Sequence, residues 1–338
     1  MVFFPQAATI GTQKTIFVAT DRAKEADGTF GPHRSEKMAY LSVDVSIPPD
    51  HVPGSIEFSR GTPNPQSDFL TTAFTEFPAK SGFQASLGKR LRMLPVKDRE
   101  AVVYVHGFNN TMADGVYRTA QLVNDFDLPG VAIHYSWPSA ANPLGYGYDR
   151  DSALIARDGL EELLRAIRAS GVRRTLIVAH SMGGLLTMEV LRQMAPDTSL
   201  VNGVILISPD IDIEVFESQA RRIGKLPQPF VIFVSQKDRA LRLSARLTGQ
   251  KQRLGTLNDL SRLDKLPVTL IDVTDFSDPR GVNHFVTGSS PLLIQLLAKV
   301  AEVDAAFRGD PAGRTGILPG TVLTVQNATQ IIVRRPVK

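Results

Sequence analysis

The sequence predicts an α/β protein in which a mostly parallel sheet is flanked by helices. Two observations carry that expectation. From residue 100 onward, short β-branched apolar runs alternate with stretches whose apolar residues recur every three or four positions, the pattern of strands joined by crossover helices. The runs are also apolar almost throughout, as strands covered on both faces must be.

Taken in order, the expected strands are Ala101–Val105, Val131–Tyr135, Arg174–Ala179, Gly203–Ile207, Pro229–Val234 and Val268–Val273. The expected helices are Met112–Phe126, Asp151–Ala169, Gly184–Met194, Ile213–Ile223 and Pro291–Phe307. In Asp151–Ala169, Leu154, Ile155, Leu160, Leu163, Leu164 and Ile167 gather on one side, opposite Arg157, Glu161, Glu162 and Arg165, so that stripe should face the sheet. Residues 1–98 read as an N-terminal extension packed on the core. Lys14–Thr20 and Leu41–Ile47 alternate as edge strands, Pro48–Gln66 is a surface loop rich in proline, glycine and serine, and Ser81–Leu94 is a helix. Residues 99–308 form the core, and 309–338 a proline- and glycine-containing linker followed by a candidate strand at Thr321–Val333.

Composition removes several functional classes. With 43% apolar and 21% charged residues, the chain matches an ordinary water-soluble globular protein. No apolar run reaches the roughly 18 residues of a spanning helix, and Met1–Ile10 lacks the basic start and apolar stretch of a signal peptide. There is no cysteine, so disulfides, thiol nucleophiles and cysteine-rich zinc sites are all excluded. The net charge of +4 is spread over Arg221–Lys225, Arg239–Arg253 and Arg334–Lys338, which read as solvated surface, with no nucleic acid expected as a partner. No two histidines lie three or four apart on a helix, so no metal is expected.

The most informative segment is Leu176-Ile-Val-Ala-His-Ser-Met-Gly183, an apolar run that stops at His180 and Ser181 and passes at once into a helical pattern. A strand turning abruptly into a helix presents the central residue on a strained corner, with its hydroxyl exposed and the next backbone NH facing the same space. Small residues must flank it, here Ala179 and Gly183. Reacting groups in an open parallel sheet collect at the carboxyl ends of the strands. His106 and Gly107 follow one expected strand, Ser181 another, Asp238 a third, and His284 lies beyond the last. The order serine, acid, histidine is that of α/β-hydrolases.

Across about residues 13 to 300 the chain resembles bacterial α/β-hydrolases of a family of unknown function, also described as esterase/lipase superfamily proteins. The residues that carry the resemblance are Phe17-Val-Ala-Thr-Asp-Arg22, Val45-Ser-Ile-Pro-Pro49, Val105-His-Gly-Phe-Asn-Asn110, His134-Tyr-Ser-Trp-Pro-Ser139, the serine turn, Ser208-Pro-Asp210 and Asn283-His-Phe285. The resemblance implies the α/β-hydrolase fold and a serine, aspartate and histidine triad, and carries over no substrate. Relatives of this kind carry an export or lipoprotein segment ahead of a stretch like Pro5–Thr15. It therefore implies an exported or periplasmic protein, with a cytoplasmic one as the alternative.

A serine hydroxyl is a weak nucleophile at neutral pH, so an imidazole must take its proton and a carboxylate must hold the imidazole in the right tautomer. Ser181, His284 and Asp238 are assigned these roles, with Asp210 as the competing acid. His284 is the only histidine downstream of the serine. Asp210 and Asp212 otherwise read as N-terminal acids of the helix Ile213–Ile223. The NH groups of Met182 and Phe108 are the expected oxyanion donors. Gly107 would let substrate approach the backbone, while Trp137, Tyr146 and Phe285 would line its pocket or simply pack, as would Tyr148. The remaining histidines, His33, His51, His106, His134 and His180, are expected in structural roles.

The function expected is a serine carboxylesterase acting on small or medium carboxylic esters through an acyl-enzyme, with no cofactor and a small-molecule ester as partner. A thioesterase, amidase or lipase with the same triad is the alternative within enzymes. A binding protein that kept the fold and lost turnover is the alternative outside them. The sequence says nothing of the oligomeric state.

Overall fold

The computed structural model describes residues 1–249, 252–257, 263, 266–277, 282, 284–291, 293–294 and 329–332. By its internal packing the chain divides into two compact units, 1–176 and 177–338.

In the first unit the strand order is β4 (Glu100–Val105), β5 (Val131–Ser136), β1 (Thr12–Lys24), β2 (Phe30–Ile47) and β3 (Leu70–Phe77). β4 and β1 both run parallel to β5, whereas β2 and β3 continue antiparallel. The extension thus supplies three strands to the sheet. One of them, β3, is not expected from the sequence: it is buried only over its first three residues, and Phe74–Glu76 lie exposed at the sheet's edge.

Helix α1 (Lys80–Arg92) buries Phe83, Leu87 and Leu91. Helix α2 (Met112–Asp125) starts at a capping box, in which Thr111 accepts from the Asp114 NH and Asp114 accepts from the Thr111 NH. It lays Met112, Val116, Tyr117 and Ala120 against Ile16, Val18, Leu41, Val43 and Val45. The stretch expected as one helix at Asp151–Ala169 is two, α3 (Tyr146–Ile155) and α4 (Arg157–Ala169), broken at Ala156. The Tyr135 hydroxyl donates to the Ala156 carbonyl at 2.7 Å. Leu160, Leu163, Leu164 and Ile167 are buried as expected, but Leu154 and Ile155 are exposed, because the break turns their face away from the α4 stripe.

In the second unit the order is β10 (Thr329–Ile332), β9 (Thr269–Asp272), β8 (Phe230–Val234), β7 (Gly203–Ile207) and β6 (Arg174–His180), the last spanning the division between units. The printed pairings β7–β8, β8–β9 and β9–β10 are parallel. Helices α5 (Met182–Met194), α6 (Ile213–Ile223) and α7 (Arg239–Leu247) follow β6, β7 and β8 in turn, and the short α8 (Val286–Ser289) follows β9. The expected C-terminal strand appears as β10. Most of the helix expected at Pro291–Phe307, and the linker before β10, lie outside the described residues.

Asp21 on β1 is 7% exposed, and burial raises its carboxyl from 3.8 to about 6, only partly offset by its hydrogen bonds and the neighbouring Arg22. The folded state therefore binds this proton more tightly than the unfolded chain. Stability from that preference is complete below about pH 4 and is lost as pH rises through about 6, a difference on the order of 2–3 kcal/mol. Asp21→Asn should accordingly raise the melting temperature at pH 8 and give no gain at pH 4. Equal shifts at both pH values in paired thermal melts would contradict this.

Candidate active site

The second unit brings together three side chains from three strand ends. β6 ends at His180, and Ser181 takes φ 53° and ψ −120°, a left-handed conformation costly for a residue with a Cβ, before α5 begins at Met182. Three backbone bonds fix the corner: the Ser181 NH donates to Ile207 at 3.0 Å, and its carbonyl accepts from Gly184 at 3.0 Å and Asp210 at 3.1 Å. Gly184 is small for a reason, since a Cβ there would lie 3.3 Å from the Pro209 Cβ.

Asp238 follows β8, is fully buried, and caps α7, its Oδ1 accepting from the Leu241 NH at 2.9 Å. Its Oδ2 lies 2.8 Å from His284 Nδ1, and His284 Nε2 lies 2.8 Å from Ser181 Oγ. An ionised carboxylate only accepts, so Nδ1 carries the hydrogen, and in the neutral ring Nε2 is left as the acceptor facing the serine hydroxyl. The His284 side chain is 22% exposed, while Asp238 is sealed off. The Arg239 NH bonds the Val282 carbonyl at 3.0 Å, tying the histidine's loop to the start of α7.

His180, expected in a structural role, is in contact with this group. Its Nε2 lies 2.9 Å from the His284 carbonyl, and its ring centroid is 4.6 Å from those of both His284 and Phe285. Phe285 therefore lies edge-on to His180, whose ring bonds the His284 carbonyl. Met182 occupies the first position of α5, where backbone NH groups have no partner within the helix.

Asp210 does not reach His284 through any bond described; its Oδ1 is taken by Ser244 Oγ at 2.5 Å and Arg253 Nε at 3.0 Å. Nor does it cap α6, which is the work of Asp212, accepting from the Glu214 and Val215 NH groups. Arg253, read from the sequence as part of a solvated basic face, is 1% exposed. Sequence gave no cue to this, because a buried arginine differs from a surface one only in its partners.

Gly107, Phe108, Trp137 and Tyr146 belong to the first unit. The Phe108 ring packs edge-on to Tyr146 at 5.6 Å. Trp137, expected to line a pocket or simply to pack, is wholly buried: its ring stacks on His106 at 4.7 Å and its indole NH donates to the His106 carbonyl at 2.8 Å, so it fills the interior. His106 and His134 are also fully buried, and burial holds the first well below 6.5 and the second at about 3. Both are neutral packing groups. The Gly107–Asn110 turn is braced by two residues to which the sequence assigned no role there. Arg22, 2% exposed and lowered by burial to about 10, donates to the carbonyls of Asn110, Ser139 and Gly31 and to Ser136 Oγ. Asp149 accepts from the Asn109 NH, the Ser139 hydroxyl and the Ala140 NH. Among the described residues no cluster suited to a metal ion occurs, and no helix is long and apolar enough to cross a membrane.

A family model described as an alpha/beta hydrolase of unknown function (DUF900) matches residues 79–300. Among solved structures, an esterase of Pyrococcus furiosus is similar at 14% identity over 52% of this chain and 72% of that one, with a TM-score of 0.30. Esterase 2 of Thermogutta terrifontis, in a form phosphoramylated by tabun, is similar at 14% identity over 80% and 90%, with a TM-score of 0.35. Lipase B of Aspergillus fumigatus is similar at 15% identity over 55% and 41%, with a TM-score of 0.29. These likenesses are remote. No curated protein matches the chain.

The strained backbone at Ser181 yields a prediction independent of activity. Glycine adopts positive φ without penalty, so Ser181→Gly should melt no lower than the parent protein, whereas Ser→Gly at an ordinary position costs about 0.5–1 kcal/mol. A clear fall in melting temperature would contradict the strain.

Proposed function

The chain belongs to the DUF900 family of α/β-hydrolases, and on that premise we propose that it is a serine hydrolase cleaving small or medium carboxylic esters through an acyl-enzyme. The observation that carries this reading is the imidazole of His284, bonded at 2.8 Å to Ser181 Oγ on one side and at 2.8 Å to Asp238 on the other.

In the proposed reaction Ser181 Oγ attacks the ester carbonyl while Nε2 takes its proton. The developing imidazolium is stabilised by Asp238, whose second oxygen stays bound to the first turn of α7. The Met182 NH donates to the negative oxygen that forms on the attacked carbon, a bond worth about 3–4 kcal/mol in acyl transfer of this kind. His284 passes its proton to the leaving alcohol. Water then enters, loses a proton to Nε2 and attacks the acyl carbon, which releases the acid and restores Ser181. All the protons and electrons are accounted for by the triad, the ester and water. Phe285, beside His284, is the group proposed to border the bound ester.

Turnover of chromogenic esters of rising chain length, with thioester and amide analogues alongside, tests this reading and separates it from its relatives. Asp238→Asn should leave ester binding intact and lower kcat on the order of 10³–10⁴-fold, because an amide in place of the carboxylate favours the wrong tautomer of His284. Activity in Asp238→Asn within tenfold of the parent protein would contradict the assignment of Asp238, and no turnover of any ester by the parent protein would contradict the proposal as a whole.

A further inference from the structure

The loop after β7 carries a buried carboxylate that the proposed reaction does not use. Asp210 and Arg253 are 3% and 1% exposed at their side chains, with Oδ1 and Nε 3.0 Å apart. Ser244 Oγ donates to the same Oδ1 at 2.5 Å and accepts from Arg253 Nε at 3.1 Å, while an Arg253 terminal nitrogen donates to Thr248 Oγ1 at 2.6 Å. A guanidinium taken this far from water is retained only when its donors are met.

The cluster joins the two halves of the candidate triad. The Asp210 NH holds the carbonyl of Ser181 at 3.1 Å. Ser244 lies on α7, the helix that Asp238 caps. Arg253 opens a segment that bonds both loops: the Leu254 NH to Ile211 at 2.8 Å, the Gly255 NH to Pro209 at 3.0 Å, and the Ser235 NH to the Gly255 carbonyl at 2.9 Å. Only glycine permits this approach, since a Cβ on residue 255 would lie 2.7 Å from the Ser208 carbonyl carbon and 2.9 Å from the Pro209 nitrogen. Ser208 itself holds φ 46°, a conformation that persists only when its surroundings enforce it.

We infer that Asp210 and Arg253 are positioning residues, holding the turn that presents Ser181 in register with the helix that presents Asp238. A buried ion pair adds little net stability over apolar groups of similar volume, but its directional bonds fix geometry where apolar packing would allow sliding. The inference rests on the serine-hydrolase reading, since register matters only if the two groups act together.

The test replaces the pair as a pair. Asp210→Leu combined with Arg253→Met removes both charges of the pair together, so the variant should melt close to the parent protein. Its kcat on a chromogenic ester should fall on the order of 100-fold, the cost of misplacing a reacting group by about an ångström. KM should change by less than about threefold, a split that a merely structural role would not produce. A folded double variant with kcat within about threefold of the parent would overturn the inference. Should the double variant fail to fold, Ser244→Ala decides: reduced kcat at unchanged melting temperature supports the brace, and unchanged kcat overturns it. If the parent protein itself turns over no ester, the serine-hydrolase reading fails first and the inference falls with it, a result distinct from an active parent with an equally active variant.

Discussion

The hydrogen bonds of one imidazole ring join the separate strand ends that form the candidate site of the second unit. His284 reaches Ser181 and Asp238 at once, and each of those residues is held by an element that leaves it little freedom. Ser181 sits on a backbone corner that a strand and a helix enforce between them, pinned by Ile207, Gly184 and Asp210. Asp238 spends one oxygen on the first turn of α7 and has only the other to offer. His284 is held from behind, its carbonyl by His180 and its loop by the bond between Arg239 and Val282. All three side chains are thus anchored through their own backbone or the element that carries them.

Polar groups deep in the protein do much of this holding. In the first unit, Arg22 and Asp149 tie down the turn after β4 and the one after β5 with bonds mostly to backbone. In the second, the side chains of Arg253 and Asp210 bond each other and Ser244, while main-chain bonds of residues 254 and 255 reach the loops after β7 and β8. Carbonyls and NH groups in irregular segments need partners once they are covered. Buried side chains that supply those partners let a loop stay irregular and still keep one shape.

Much of this was legible in the sequence because it obeys local rules. The apolar run ending at His180 and Ser181, flanked by Ala179 and Gly183, announced the turn, and the six strands expected between residues 101 and 273 were found within a residue by their β-branched runs. The order Ser181, Asp238, His284 was readable because strand ends in such a sheet share one edge. The misses follow from what local patterns do not encode. β3 escaped because an edge strand needs only a short buried stretch, here Leu70–Thr72, and shows little periodicity. The break at Ala156 was hidden because apolar residues kept a helical interval across it, while Tyr135, distant in sequence, took the carbonyl at the break. Trp137, just beyond β5, read equally as pocket wall or packing, and local sequence alone did not decide between them. The burial of Arg253 depends on Asp210 43 positions earlier, and no spacing rule links the two.

The reading of this site stands or falls on whether Ser181 is activated by its neighbour. Incubation of the folded protein with a fluorophosphonate, followed by mass mapping, measures that directly. The account predicts a single adduct on Ser181 that forms readily in the parent protein and slows by orders of magnitude in His284→Ala. An unmodified Ser181 in folded protein, or equal labelling with and without the imidazole, would contradict it.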